Sequence, residues 1–295
     1  MMRIAVIGEC MVEMAPVDGG LYRMGFAGDT FNTAWHLRRL LDDQHQIDYV
    51  TAIGDDATST RMRDFIAASG IGVDHVQRLP GASPGLYLIG QEQGDRVFSY
   101  WRSHSAARRL ADDEAALARA LEGAALVYLS GITLAILSPE ARVRLWAVIA
   151  ASGARVCFDP NIRPRLWDSA EQCRDVLSDA AARSWCVLPS FGDEQALFGD
   201  DIPEATLARY RQAGAEVVVV KDAENPVLMD VAGHRCQVAP PMLAGGVVDA
   251  TGAGDAFNAG WIAAYLSGQD PQAAAHQANA HAAKVLRVAG ALLTA

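Results

Sequence analysis

The sequence predicts a doubly wound α/β fold, a parallel sheet with helices on both faces and a small accessory sheet beside it. Three observations carry this expectation. Short β-branched or apolar runs alternate with Ala-, Leu- and Arg-rich stretches of helical period. The runs are apolar throughout rather than at every second residue, as in strands buried on both faces. And 295 residues, 51% hydrophobic and 20% charged, have the length and composition of a globular chain with a sizeable core.

In chain order, residues 3–8 form the first predicted strand. Residues 11–26 break the alternation and read as short strands turning at Asp18-Gly19-Gly20. A helix over 30–41 opens on Thr30, followed by a strand at 48–53 and a helix at 57–69. A second irregular stretch, from Pro84 to Trp101, turns at Gln93-Gly94-Asp95 and carries the aromatic run Arg96-Val-Phe-Ser-Tyr-Trp101. Regular alternation then resumes: helices at 112–121, 139–152, 169–183 and 203–213, strands at 126–129, 155–158, 185–188 and 216–220. Asp112, Pro139 and Pro203 are helix-opening residues. A last helix starts within the small-residue turn near Gly254. The segments at about 11–26 and 84–102 are expected to form a lid over a site, a dimer interface, or both. Without a linker, a repeat or a second unit of independent size, 1–295 is expected to be one domain.

The charge narrows the function. Against 35 Asp and Glu stand 25 Lys and Arg, a net charge of −10, which disfavours nucleic acid as a partner. Only Lys221 and Lys284 are lysines. The apolar run before Glu9 is too short for a signal peptide, and the longest uncharged stretch, 123–139, is interrupted by Ser130, Gly131 and Thr133. No membrane contact is expected. Five scattered cysteines without a C-x-x-C pair predict reduced thiols in a cytoplasmic protein rather than disulfides or zinc. The seven histidines show no metal-ligand spacing, and His36 and His281, on predicted helices, read as structural.

The segment with chemistry is Asp249-Ala-Thr-Gly-Ala-Gly-Asp255. A turn of small residues running into a helix lets backbone N–H groups converge, and the helix dipole adds to their field. Phosphate oxygens fit such a hole. Asp255 beside it repels a phosphate but suits a base that takes a proton from an attacking hydroxyl. Phe257 stands where a dinucleotide G-x-G-x-x-G would need glycine, and no Gly-Lys pair exists for a P-loop. The competing reading is a glycine-rich helix cap with an acidic first turn.

This segment resembles the C-terminal signature of the ribokinase-like, phosphofructokinase-B type carbohydrate kinases. Ala27-Gly-Asp-Thr-Phe-Asn32 resembles their N-terminal sugar-binding motif, with Ala27 in place of its first glycine. Four further stretches, 8–13, 84–89, 129–139 and 158–167, are similar to the branch acting on 2-keto-3-deoxygluconate. The resemblance implies a ribokinase-like three-layer α/β/α core with a β-sheet lid that pairs two subunits. It also implies Mg2+-dependent transfer from ATP to the 6-hydroxyl of that sugar acid. Fructose, ribose or a related deoxy-ketoacid remain alternative acceptors. A sugar- or nucleotide-sensing protein without activity and a nicotinamide dehydrogenase are the competing classes.

On this resemblance Asp255 is the general base, and Gly252, Ala253 and Gly254 offer N–H groups to the γ-phosphate. Gly28, Asp29 and Asn32 are expected to take sugar hydroxyls, Asp29 and Thr30 also reading as helix caps. Tyr87, Tyr100 and Arg102 are expected to hold the substrate carboxylate, Arg102 through its planar fork. Arg163 is expected to bridge substrate and phosphate, and Asn161 and Lys221 to meet the nucleotide. Lys221-Asp-Ala-Glu-Asn-Pro226 lacks the glycines usual there, so the resemblance leaves adenine contacts open. Ser190 and Asp193, with Glu194 as a competitor, sit where the family carries a magnesium-associated motif, and no metal ligand is assigned.

Overall fold

The computed structural model describes residues 2–92, 95–243 and 245–293. Thirteen strands and ten helices follow in chain order among them. They are β1 (Met2–Ile7), β2 (Met11–Val17), β3 (Leu21–Ala27), α1 (Asp29–Leu40), β4 (His45–Ile53), α2 (Ala57–Ala68) and β5 (Val76–Arg78). Next come β6 (Leu86–Glu92), β7 (Asp95–Trp101), α3 (Glu114–Leu121), β8 (Leu126–Ser130), α4 (Gly131–Ile136), α5 (Pro139–Ser152) and β9 (Arg155–Asp159). The chain ends with α6 (Ala170–Ala182), β10 (Cys186–Val187), α7 (Phe191–Phe198), α8 (Pro203–Ala213), β11 (Val217–Val220), β12 (Val227–Val231), β13 (His234–Val238), α9 (Ala253–Leu266) and α10 (Pro271–Val285).

Nine strands make the main sheet in the order β13-β12-β11-β10-β9-β8-β1-β4-β5. The seven from β11 to β5 are parallel, and the β12–β13 hairpin closes one edge antiparallel. The apolar strand runs have a simple cause. Ile4, Val6, Leu126 and Tyr128 face a core shared with α1, α2, α9 and α10. Ala5, Ile7, Val127 and Leu129 face the opposite core, shared with α3, α5, α6 and α8. On these central strands both faces have a core to enter, so alternation disappears. The result is three layers, α/β/α.

Met11–Val17, Leu21–Ala27, Leu86–Glu92 and Asp95–Trp101 form a separate four-stranded sheet, ordered β3-β2-β6-β7. These are the two stretches that break the alternation. The predicted turn at Gln93-Gly94 lies outside the described residues. No described helix is long and apolar enough to cross a membrane.

Several boundaries differ from expectation. Helix α1 starts at Asp29, with Gly28 as its cap residue and no side-chain cap, so neither Asp29 nor Thr30 caps it. Helix α3 starts at Glu114 because Asp113, not Asp112, accepts from Ala116 N–H. The β12–β13 hairpin, β5, α4 and α7 are absent from the sequence reading. They are short, or, like the half-exposed β13, too polar to announce a strand.

Candidate active site

The parallel strands end on one edge of the sheet, and there the chain doubles back on its own order. From β1 it moves to β4 and β5 on one side, then returns to β8, β9, β10 and β11 on the other. Ligands of α/β sheets bind in the crevice that such a reversal opens at the strands' carboxyl ends. Glu9 follows β1, Ser130 ends β8, Asp159 ends β9 and Lys221 follows β11. A cavity of about 870 Å3 opens over this edge, roofed by Tyr87, Arg96, Phe98 and Tyr100 of the second sheet. A second cavity of about 950 Å3 has walls that include Pro240, Met242, Leu243, Phe257, Ala283 and Leu286. Lys221 and Gly254 line both.

Asp255 lies in the first turn of α9, on the wall of the polar cavity and next to Gly254, and is 9% exposed. Gly252 caps the helix at φ 76°, a left-handed backbone, and a Cβ there would lie 2.5 Å from that of Ala291. Glycine alone meets both demands. Ala253 N–H is turned onto the Ala250 carbonyl at 3.3 Å. No acceptor among the described residues takes the N–H of Gly252 or Gly254, so both remain donors at the helix N-terminus. Of the three residues expected to present N–H groups, Ala253 is thus the engaged one.

The proton affinity of Asp255 is set by its surroundings. Burial, with the charge of Asp29, pushes its carboxyl up to about 8 against the hydrogen bond from Asn32. Asn32 Nδ2 donates to Asp255 Oδ2 at 2.8 Å. Beneath lies a buried polar network. Lys221 Nζ donates to Asn258 Oδ1 at 3.0 Å and to Asp159 Oδ2 at 3.3 Å. Asn258 Nδ2 donates to Asp159 Oδ2 at 2.6 Å and to the Tyr128 hydroxyl at 3.0 Å.

The other expected substrate residues gather in the polar cavity: Gly28, Asp29, Asn32, Tyr87, Tyr100, Arg102 and Arg163 all line it. Gly28 fits because a Cβ there would lie 2.2 Å from the Glu9 carbonyl oxygen. Asp29 Oδ2 accepts from Asn161 Nδ2 at 2.9 Å. Asn161 holds a left-handed φ of 34° while its N–H donates to Asp159 Oδ1 at 3.0 Å. Tyr87 and Tyr100 are cross-strand neighbours, and the Tyr87 hydroxyl donates to Glu13 at 2.5 Å. Arg102 pairs with Glu9, and the exposed Arg163 pairs with Asp193 at 3.4 Å. Asn161 and Arg163, expected on the nucleotide, line the polar cavity and not the apolar one.

Sequence reasoning missed four features. Glu9 is a buried carboxylate on the cavity wall, its acid raised by burial against the opposing charge of Arg102. Arg96 reaches from β7 to Asp249, which the sequence reading quotes only as part of a motif. The apolar cavity draws on distant segments, so no local pattern announces it. Its loop does without the missing glycines because Ala223 itself takes a left-handed φ of 47°, at a cost of about 1–2 kcal/mol. Glu194, weighed against Asp193, turns away from both cavities. It is buried and accepts from the Tyr210 hydroxyl at 2.9 Å and Arg209 at 2.8 Å. No group of three or more His, Cys, Asp or Glu among the described residues is arranged to hold a metal ion.

This site sits on a chain with clear relatives. It is 38% identical over 299 residues to the 2-dehydro-3-deoxygluconokinase of Dickeya dadantii (strain 3937), covering 98% of this chain and 96% of that one. The structure is similar to that of the PfkB protein from Polaromonas sp. JS666, with a TM-score of 0.84 and 29% identity over 97% of this chain and 96% of the other. A protein provisionally named ribokinase II from E. coli, solved in complex with ATP and Mg2+, superposes with a TM-score of 0.82 at 25% identity, over 99% and 95% of the two chains. Residues 1–294 match the pfkB family of carbohydrate kinases, and the chain belongs to that family.

Proposed function

We propose that this chain transfers the γ-phosphoryl group of MgATP to the 6-hydroxyl of 2-keto-3-deoxy-D-gluconate, yielding 2-keto-3-deoxy-6-phosphogluconate. The observation that carries the reading is the position of Asp255, a buried carboxylate of raised pKa on the wall of the polar cavity, beside the Gly254 that lines both cavities. The near-full-length likeness to a 2-dehydro-3-deoxygluconokinase supports the choice of acceptor.

The polar cavity takes the sugar acid. Gly28, Asp29 and Asn32 meet its hydroxyls, and Arg102 with Tyr87 and Tyr100 holds its carboxylate. The apolar cavity takes the adenine, stacked near Phe257 and Leu286, with the phosphates reaching Lys221 and the α9 N-terminus. Asp255 accepts the proton of the 6-hydroxyl as the oxygen attacks phosphorus. The N–H groups of Gly252 and Gly254 meet the charge on the transferring group, and Arg163 bridges substrate and phosphate. Magnesium enters with the nucleotide and keeps several waters, in line with the lack of a dedicated acidic cage among the described residues.

The whole chain works as one kinase domain with the second sheet as its lid. Leu21, Tyr22 and Trp101 leave apolar surface exposed on that sheet, which supports pairing of two copies through it. The enzyme acts in the cytoplasm, where its unpaired cysteines stay reduced. An ADP-release assay across the ketoacid, fructose and ribose tests the assignment. Much faster turnover of a neutral sugar would replace the acceptor named here.

A further inference from the structure

We propose that Arg96 is a positioning residue that fastens the second sheet to the phosphate turn, so that the acid pocket and the anion hole are assembled together. The inference rests on the kinase reading above and concerns a residue to which that reading gives no role.

Arg96 stands on β7, within the sheet that roofs the polar cavity. Its Nη1 donates to Asp249 Oδ2 at 2.5 Å and to Thr251 Oγ1 at 3.3 Å. Both acceptors belong to the turn that precedes α9. Asp249 is buried and over-determined. Its Oδ1 accepts from Thr251 N–H at 3.0 Å and from Thr251 Oγ1 at 2.7 Å, and its Oδ2 accepts from Gly290 N–H at 2.6 Å. One carboxylate therefore ties the start of the turn, the C-terminal segment beneath it and the sheet above it. Among the described residues this is the one ion pair joining the second sheet to residues 247–255.

The geometry has a chemical consequence. Gly252, whose N–H faces the anion hole, is adjacent to Thr251, and Gly290 is adjacent to Ala291, against which Gly252 packs. A force on Asp249 is felt on both sides of Gly252. With Arg96 in place, the sheet carrying Tyr87, Tyr100 and Arg102 is held at the turn, and water is kept from the phosphoryl group. Without it, the two halves of the site move independently, and transfer to the sugar competes with transfer to water.

The test uses the full-length enzyme with Arg96→Gln, Asp249→Asn and the double variant. Steady-state rates are measured together with the ratio of ADP released to sugar-acid phosphate formed. Arg96→Gln is expected to lower kcat about tenfold and raise that ratio above one, with the KM for MgATP changed less than threefold. Asp249→Asn should do the same, and the double variant should be no worse than either single. Arg96→Lys, which keeps one of the two bonds, should recover part of kcat. Unchanged kcat and a ratio of one in Arg96→Gln would overturn the proposal. So would multiplying effects in the double variant, which would put Arg96 on the phosphoryl group itself. The same cycle read by thermal melting needs no substrate, and additive losses there also refute the tie. A wild-type enzyme that leaves the ketoacid unphosphorylated would instead sink the parent reading, while the melting cycle still scores the tie.

Discussion

Replacing Asp255 with Asn separates catalysis from stability, because the structure makes the two pull in opposite directions. Burial and the neighbouring charge of Asp29 raise the Asp255 carboxyl from an ordinary 3.8 to about 8. For an acid whose folded pKa lies above its unfolded value, the native state holds a proton that the unfolded chain has lost. Its favourable contribution is therefore full below about pH 4 and declines as pH rises through 8. At about 1.36 kcal/mol per unit, the ionised carboxylate costs on the order of 6 kcal/mol above pH 8, and ~4 kcal/mol at pH 7. Asparagine carries no charge, and its side-chain oxygen can still accept from Asn32. Even a third of the larger figure, about 2 kcal/mol, raises Tm by roughly 3 °C in a chain of this length. Turnover should fall by about 10²–10⁴, the usual loss of a general base, with both KM values nearly kept. Thermal melts of both proteins at pH 4 and pH 8, beside a coupled ADP assay, check the pair of effects. The Tm gain should appear at pH 8 and vanish at pH 4. An Asn variant that is less stable at pH 8, or turns over near the wild-type rate, would refute the reasoning.

Three further outcomes follow from the same geometry. The acid limb of kcat/KM for the free enzyme should rise toward about pH 8; Asp29→Asn should move that midpoint down and Lys221→Gln should move it up, since Asp29 favours the protonated form and Lys221 the ionised one. Arg102→Met should raise the KM for the ketoacid about tenfold and leave that for MgATP within twofold, the loss expected of a charge-assisted bidentate contact; equal rises in both would assign Arg102 to folding through Glu9. Tyr210→Phe removes a buried donor to Glu194, so it should cost about 1–3 kcal/mol in melts with kcat unchanged, whereas a kcat loss would return Glu194 to the active site.

The main sheet is legible because its physics is local. A run such as Val217–Val220 is apolar at every position because both of its faces are covered, and the intervening helices carry their own caps. The anion turn is legible for a related reason: Gly252 must be left-handed, and that need is written in one residue. Glu9 is not legible. A glutamate after a strand looks solvated, and only the approach of Arg102, distant in sequence, makes it a buried partner. The apolar cavity fails the same way, since Phe257, Met242 and Leu286 meet only after the chain has folded. Helix α1 is a subtler case. Asp29 has the chemistry of a cap, but its carboxylate goes to Asn161 instead, across the site. Local preference named the right residue for the wrong partner.

The net charge of −10 sets a problem that the site itself resolves. ATP and a sugar acid are anions, and long-range attraction cannot gather them to an acidic protein. The cations around the polar cavity are not free either. Arg96 is paired with Asp249, Arg102 with Glu9, Arg163 with Asp193 and Lys221 with Asp159. On the proposed reading each cation would meet a ligand only by sharing it with a resident carboxylate, which would favour a correctly shaped oxyanion over a stray one. Asp29 and Asp255 are acids in the same cavity that no cation pairs among the described residues. Their mutual repulsion, added to burial, is what lifts Asp255 toward about 8. An aspartate at its ordinary pKa is a poor acceptor for a hydroxyl proton, and one near 8 is a far better one. A surplus of cations here would draw substrates in more strongly and at the same time acidify Asp255, so on the proposed reading the carboxylate-rich wall is a condition of the chemistry rather than an obstacle to it.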